Sequence, residues 1–252
     1  SSQSHTFNIL HLRFPTQRGV ITNQKNHTTI MKIVILGGGI AGLSLAGMLE
    51  KRNFEVVINE RSTLKSKSGH AFLLHDNGHG LLQFLNDYGP GNLQSKKISA
   101  FNIINTATPG INSELLDDWF AIKRSELTDY LEGLISHSMI KRGREFSHFI
   151  YENGKVIAAK FNNGEIEYGD LFIGADGSNS QVRTEIMGEI DFVHSPVKEI
   201  VGIARNSEIA SGFFGNCTKF YDEFNHIAFG FIPLNGDELV WYMQYDSNLR
   251  AL

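Results

Sequence analysis

The sequence predicts a mixed α/β protein: a parallel sheet built on a glycine-rich turn, with a mainly antiparallel β region adjoining it. Three observations carry this expectation. Residues 33–60 read strand, glycine turn, helix, strand. Residues 170–180 repeat the switch from buried strand to helix through an Asp-Gly pair. From residue 197 onward the chain reads as short β segments dense in aromatic side chains.

The first unit begins with Ile33-Val34-Ile35-Leu36, a β-branched run suited to a strand buried on both faces. Gly37, Gly39 and Gly42 satisfy G-x-G-x-x-G. Such glycines allow a sharp turn, close approach of backbone to a pyrophosphate, and tight helix–strand packing, in that order. The following helix places Leu45, Met48 and Leu49 on one stripe. Its first residues, Ile40 and Ala41, carry the N–H groups that face phosphates at a helix N-terminus. Val56-Val57-Ile58 forms the next strand, ending at Asn59 and Glu60, eighteen residues after Gly42. An acid there accepts hydrogen bonds from ribose hydroxyls and disfavours a 2′-phosphate, so the expected ligand is NAD or FAD rather than NADP. Arg61 follows directly. The fold expected of this half is Rossmann-like.

Bulk properties bound the rest. The 252 residues are 41% hydrophobic, enough for one large core or two smaller ones. A net charge of -4 gives no electrostatic footprint for nucleic acid or an anionic membrane surface. Cys217 is the single cysteine, so no internal disulfide forms and a cytoplasmic location is expected. No apolar run reaches membrane-spanning length. Residues 1–30 are polar, basic and free of acids; they read as a disordered extension before Met31, with a transit-like segment as the alternative.

Along the chain, Lys65 and Lys67 are either phosphate contacts or solvated side chains. Asn77 is placed to cap a helix carrying Leu81, Leu82 and Leu85. His70, His75 and His79 lack a further firm ligand, and no metal site is expected. Strands are expected at 98–104 and 117–122, then a helix with Leu127, Tyr130, Leu131 and Leu134 on its apolar side. Arg124 sits in that helix's first turn, against the macrodipole, and is a candidate phosphate ligand. The pairs Asn153-Gly154 and Asn163-Gly164 mark the hairpins of a small meander. Asp176 and Gly177 end the next buried strand, and Ser180 is either a ligand-facing hydroxyl or a helix cap. β segments follow at 197–206, 217–222, 226–233 and 238–245, the last two as a long hairpin. Their aromatics either fill a sheet core or line, on one face, a pocket for an apolar ligand.

Taken in order, GGGIAG with Glu60, KRSEL around Arg124, and DLFIGADGSNSQVR resemble the FAD-dependent monooxygenases of the p-hydroxybenzoate hydroxylase type. The resemblance runs from Met31 to about Tyr245. It implies that Gly37, Gly39 and Gly42 hold the FAD pyrophosphate, Glu60 the adenosine ribose, and Arg124 the cofactor. It implies that Asp176 and Gly177 serve both FAD and the NADH or NADPH donor. FGFIPLNGDELVWYMQY is similar to that family's substrate-domain sheet. The family's third flavin motif, a Gly-Asp before a late helix, is not found: Gly169-Asp170 precedes a strand and Gly236-Asp237 lies in a hairpin turn. The expected domains are therefore 31–75 with 98–190 for FAD, interrupted by a helical excursion at 76–97. The start of a β-sheet substrate domain follows at 191–252, in a chain that looks truncated.

The function this implies is hydroxylation of an aromatic or other apolar small molecule with O2 and NADH or NADPH, the cofactor supplying the chemistry. No catalytic acid or base is identified. A reductase of the geranylgeranyl-reductase type and a non-catalytic nucleotide-binding remnant are the alternatives. A flavin halogenase is disfavoured, because residues 228–233 lack the tryptophans of a Trp-x-Trp-x-Ile-Pro stretch.

Overall fold

The computed structural model describes residues 30–65, 70–75, 80, 93–108, 110–135, 139–213 and 215–249. Residues 1–29 of the extension expected at 1–30, together with Lys67, Asn77, His79 and all but Gly80 of the first turns of the helix expected after Asn77, lie outside the described residues. Among the described residues no helix is long and apolar enough to cross a membrane.

A parallel sheet of four strands has the order β10-β1-β2-β6. It comprises β1 (Lys32–Leu36), β2 (Glu55–Glu60), β6 (Met139–Arg142) and β10 (Leu171–Gly174). Every inward residue of β1 is apolar because both faces are covered. One face meets helix α1 (Ile40–Glu50) and helix α2 (Arg124–Gly133), joining Ile33, Ile35, Leu43, Ile58, Leu127 and Leu131 in one core. The stripe expected from Leu45, Met48 and Leu49 is only partly buried; the deepest face of α1 is Gly42, Leu43, Ala46 and Gly47. Small residues let α1 close on the sheet, and the larger ones fill its flanks.

The opposite face carries Val34 and Leu36 against Phe146, Phe149 and Phe161 of a three-stranded meander. Its strands are β7 (Phe146–Glu152), β8 (Lys155–Phe161) and β9 (Ile166–Tyr168). Asn153 and Gly154 both have positive φ, 50° and 76°, as a type I′ hairpin turn requires. The second turn differs: only Gly164 (φ 87°) is left-handed there, within a longer loop closed by Phe161 N–H to the Glu165 carbonyl.

The second sheet has seven strands in the order β11-β14-β13-β12-β4-β5-β3. β3 is Ala71–His75, β4 Lys96–Asn105 and β5 Asn112–Lys123; β11 is Val197–Arg205, β12 Cys217–Asp222, β13 Ile227–Pro233 and β14 Glu238–Asp246. Thus β3, β4 and β5, from the stretch expected to serve the nucleotide, hydrogen-bond in a sheet with the C-terminal strands, β4 running parallel to β12. Two short helices accompany these elements: α3 (Gln181–Met187) after β10, and α4 (Ser207–Gly212) after β11.

Pairing sorts the aromatics of this sheet between its faces. Phe231, Trp241 and Gly202 lie in one cross-strand row, and Gly230, Tyr242 and Val201 in the next. Phe231 stacks on Phe213 at 5.0 Å and meets Phe220 edge-on at 6.1 Å. Trp241 lies flat over Gly202 and Tyr242 over Gly230, where a Cβ would come within 2.9 Å and 1.9 Å of the rings. Tyr242 has Lys219, hydrogen-bonded to Gln244 at 2.8 Å, on its own face of the sheet. The tyrosine face is therefore mixed in polarity, joining Lys219 and Gln244 to the buried Cys217 and Val240, and the phenylalanine–tryptophan face is only partly covered, with Phe229 exposed.

Candidate functional site: a nucleotide cavity at the strand ends

The chain leaves β1 toward β2 on one side and returns as β10 on the other. The crevice between such strands, at their carboxyl ends, is where open α/β sheets bind ligands. A cavity of about 550 Å³ lies there. It brings together Gly37, Gly39, Glu60, Arg61, Arg124, Asp176 and Gly177. Ile40, Ala41 and Gly42 do not line it.

The glycine turn is built by close contact. Gly37 has φ +117°, and a Cβ there would lie 2.2 Å from the Ala175 carbonyl oxygen at the end of β10. At Gly42 a Cβ would lie 2.0 Å from the Gly37 carbonyl oxygen, so helix and turn could not close with a side chain present. Gly39 has nothing within 4 Å of its would-be Cβ and opens onto the cavity. As N-cap of α1 it offers no side-chain cap, and the first turn holds no acid. The helix thus begins with uncapped N–H donors beside the cavity, a setting that suits phosphate oxygens.

Glu60 stands opposite. Its Oε2 accepts from Gly38 N–H at 2.7 Å and its Oε1 from Ser62 N–H at 2.8 Å. Two amides therefore fix the carboxylate before any ligand arrives. Arg124, the first residue of α2, is exposed and lines the cavity, while its own N–H donates to the His70 carbonyl. Arg61 is also exposed at the rim.

On the β10 side, Asp176 turns its carboxylate onto its own helix. Oδ1 accepts from Ser180 Oγ at 2.5 Å and Oδ2 from Val182 N–H at 3.1 Å. Ser180 caps α3 by accepting from Arg183 N–H. Arg183 donates to the Ser178 carbonyl at 2.7 Å and packs on the Phe192 ring. The Asp-Gly loop is held in place by these contacts.

Other residues line the cavity as well, and of these the sequence singles out Lys65 as a phosphate contact or a solvated side chain. Lys65 bridges to Asp129 and Glu132 of α2, and Arg142 pairs with Glu132 at 2.6 Å. Burial opposes the charge on Lys65, but its hydrogen bonds to Asp129 and Glu132 outweigh this and raise its pKa. These pairs strap the loop after β2 and the end of β6 to the helix carrying Arg124. Asn59 and Arg144 also line the cavity. Neither carries a distinct sequence signal, because Glu165 and Glu167, which fix Arg144 beside Asn59, are distant in sequence.

His75 stacks on Trp119 at 4.2 Å, and His70 is exposed. Among the described residues no group of three or more His, Cys, Asp and Glu could hold a metal. Cys217 is buried, which pushes its thiol up to about 12 and leaves it unreactive near neutrality.

The fold and cavity together define a dinucleotide-binding α/β protein with an attached antiparallel sheet. No protein-family profile matches the chain. Sequence relatives include the FAD-dependent monooxygenase esdpE of Penicillium shearii, 27% identical over 66% of this chain and 36% of that protein. Another is 6-hydroxynicotinate 3-monooxygenase of Pseudomonas fluorescens, 22% identical over 83% of this chain and 57% of that protein. Among solved structures, PqsL of Pseudomonas aeruginosa superposes with a TM-score of 0.71 at 16% identity, covering 86% of this chain and 61% of that one. A monooxygenase from Photorhabdus luminescens described as FAD-containing gives 0.68 at 24%, covering 88% and 64%. The chain is thus related to the FAD-dependent monooxygenases in sequence and shares their fold. It spans only part of their length.

Proposed function

We propose that this chain is the FAD-holding portion of a monooxygenase that hydroxylates an aromatic or other apolar small molecule with NADH or NADPH as electron donor. The carrying observation is the single cavity that joins the uncapped α1 N-terminus, Glu60, Arg124 and the Asp176-Gly177 loop. The residues present fit an adenine dinucleotide: an open glycine turn for the pyrophosphate, an immobilised carboxylate for ribose hydroxyls, and exposed guanidinium groups at Arg61 and Arg124 for phosphate oxygens. Bound FAD supplies the redox and oxygen chemistry.

The chain's own residues bind and orient. Gly37 and Gly39 at the start of α1 seat the pyrophosphate, Gly42 lets α1 close on that turn, and Glu60 fixes the ribose. Arg124 neutralises phosphate charge, and Asp176 with Gly177 shapes the β10 side. The seven-stranded sheet, with its tyrosine face of mixed polarity, supports a small-molecule substrate. A cytoplasmic location fits the lone, buried Cys217, and fractionation of a tagged chain tests it.

The purified 252-residue chain should quench flavin fluorescence on FAD addition. Binding of NAD with no binding of FAD would remove the flavoenzyme reading. Substrate-stimulated oxygen uptake identifies a monooxygenase, whereas double-bond reduction without oxygen uptake points to the reductase alternative.

A further inference from the structure

Adjacent residues of a strand point to opposite faces, so Glu60 and Asn59 address the cavity from different sides of β2. Glu60 faces the glycine turn. Asn59, 2% exposed, faces Arg144 and lines the same cavity. Its Oδ1 accepts from Arg144 Nη1 at 3.1 Å. Arg144 is itself fixed, donating to Glu167 at 2.7 Å and pairing with Glu165. Glu167, 4% exposed, also takes Lys32 at 2.9 Å and Lys141 at 2.5 Å.

This network sets the asparagine amide one way round. Its oxygen is committed to a guanidinium, so its nitrogen must turn elsewhere. Nδ2 is fully buried and has no hydrogen-bond partner among the described residues. Buried donors are paired in nearly all folded proteins, and an apolar residue at this strand end would avoid the cost. Asn59 lines the ligand cavity, and its unpaired donor is accounted for if a small shift of the amide on binding lets the ligand supply the acceptor.

We propose that Asn59 reads the base of the dinucleotide: Nδ2–H donates to an acceptor nitrogen of the adenine ring, with Arg144 and Glu167 as positioning residues. Glu60 takes the ribose from one side, and Asn59 meets the base from the other, next to the Phe146 wall. The assignment rests on the dinucleotide reading of the cavity.

Calorimetric titration of the full chain with ADP and UDP tests it. Asn59→Asp keeps an acceptor for Arg144 but replaces the donor with a second acceptor. Added negative charge weakens both nucleotides alike, so the ADP-over-UDP preference is the readout. We expect that preference to fall about five-fold, the worth of one neutral hydrogen bond. Glu167→Gln should lower it as well; a purely structural Glu167 would lower the melting temperature and leave the preference intact. An unchanged preference in Asn59→Asp overturns the proposal while leaving the nucleotide site standing. A wild-type chain that binds neither ADP nor FAD overturns the dinucleotide reading and this assignment with it.

Discussion

Single atoms decide whether the nucleotide turn can exist. A methyl group at Gly42 would collide with the Gly37 carbonyl at 2.0 Å, and backbone cannot yield as a flexible side chain can. Gly42→Ala should therefore lower the melting temperature and abolish FAD fluorescence quenching together. Glu60→Gln differs, because the amide oxygen can still accept from one of the two N–H groups. It should weaken FAD binding about ten-fold, the scale of one charge-assisted hydrogen bond, with little change in melting. Both positions were legible in the sequence, since glycine spacing and a strand-end acid are local patterns. Asn59, Arg142 and Arg144 were not, because their meaning depends on Glu132, Glu165 and Glu167, which no local pattern connects to them.

At the scale of elements, caps and glycine windows set the geometry. Ser180 both caps α3 and donates to Asp176. Ser180→Ala should cost about 1 kcal/mol in chemical denaturation and weaken binding of a nicotinamide donor more than of ADP. Gly230 admits the Tyr242 ring against the sheet. Gly230→Ala forces that ring outward and should cost about 2 kcal/mol, an overpacking penalty. The strands β11 to β14 and both meander hairpins follow from alternation and Asn-Gly turns, and they sit where the sequence places them. Pairing partners do not follow from such patterns. That β4 lies beside β12, with more than a hundred residues between them, reflects tertiary packing of the whole sheet.

For the whole molecule, the buried Glu167 cluster clamps the meander to the parallel sheet. Burial opposes its ionisation, but hydrogen bonds from Lys141 and Lys32 outweigh it and hold the carboxyl below the usual glutamate range. A folded-state pKa lower than the unfolded one gives stability present above about pH 4.3 and lost as pH falls through the folded value. Thermal melts should therefore show an acid-side decline that Glu167→Gln flattens. At neutral pH the same substitution leaves Lys32 and Lys141 without their acid and Arg144 with Glu165 alone, and should cost about 3 kcal/mol. Glu238 behaves likewise: its hydrogen bond from Lys123 is the main cause holding its pKa down, with Arg205 adding to it. It ties the start of β14 to Lys123, the residue just before the helix that carries Arg124.

The cavity's two walls meet in space but not in time. Lys32 at the start of β1 takes up Asp170 across 138 residues of chain. A ribosome would release the glycine turn long before the strand that closes it exists. Loop closure over that distance is slow, and until β10 docks, Gly37 has no Ala175 to press against. Nucleotide capture should accordingly report the last long-range step of assembly. In stopped-flow refolding, ADP binding should lag the appearance of helical signal and coincide with burial of the sheet.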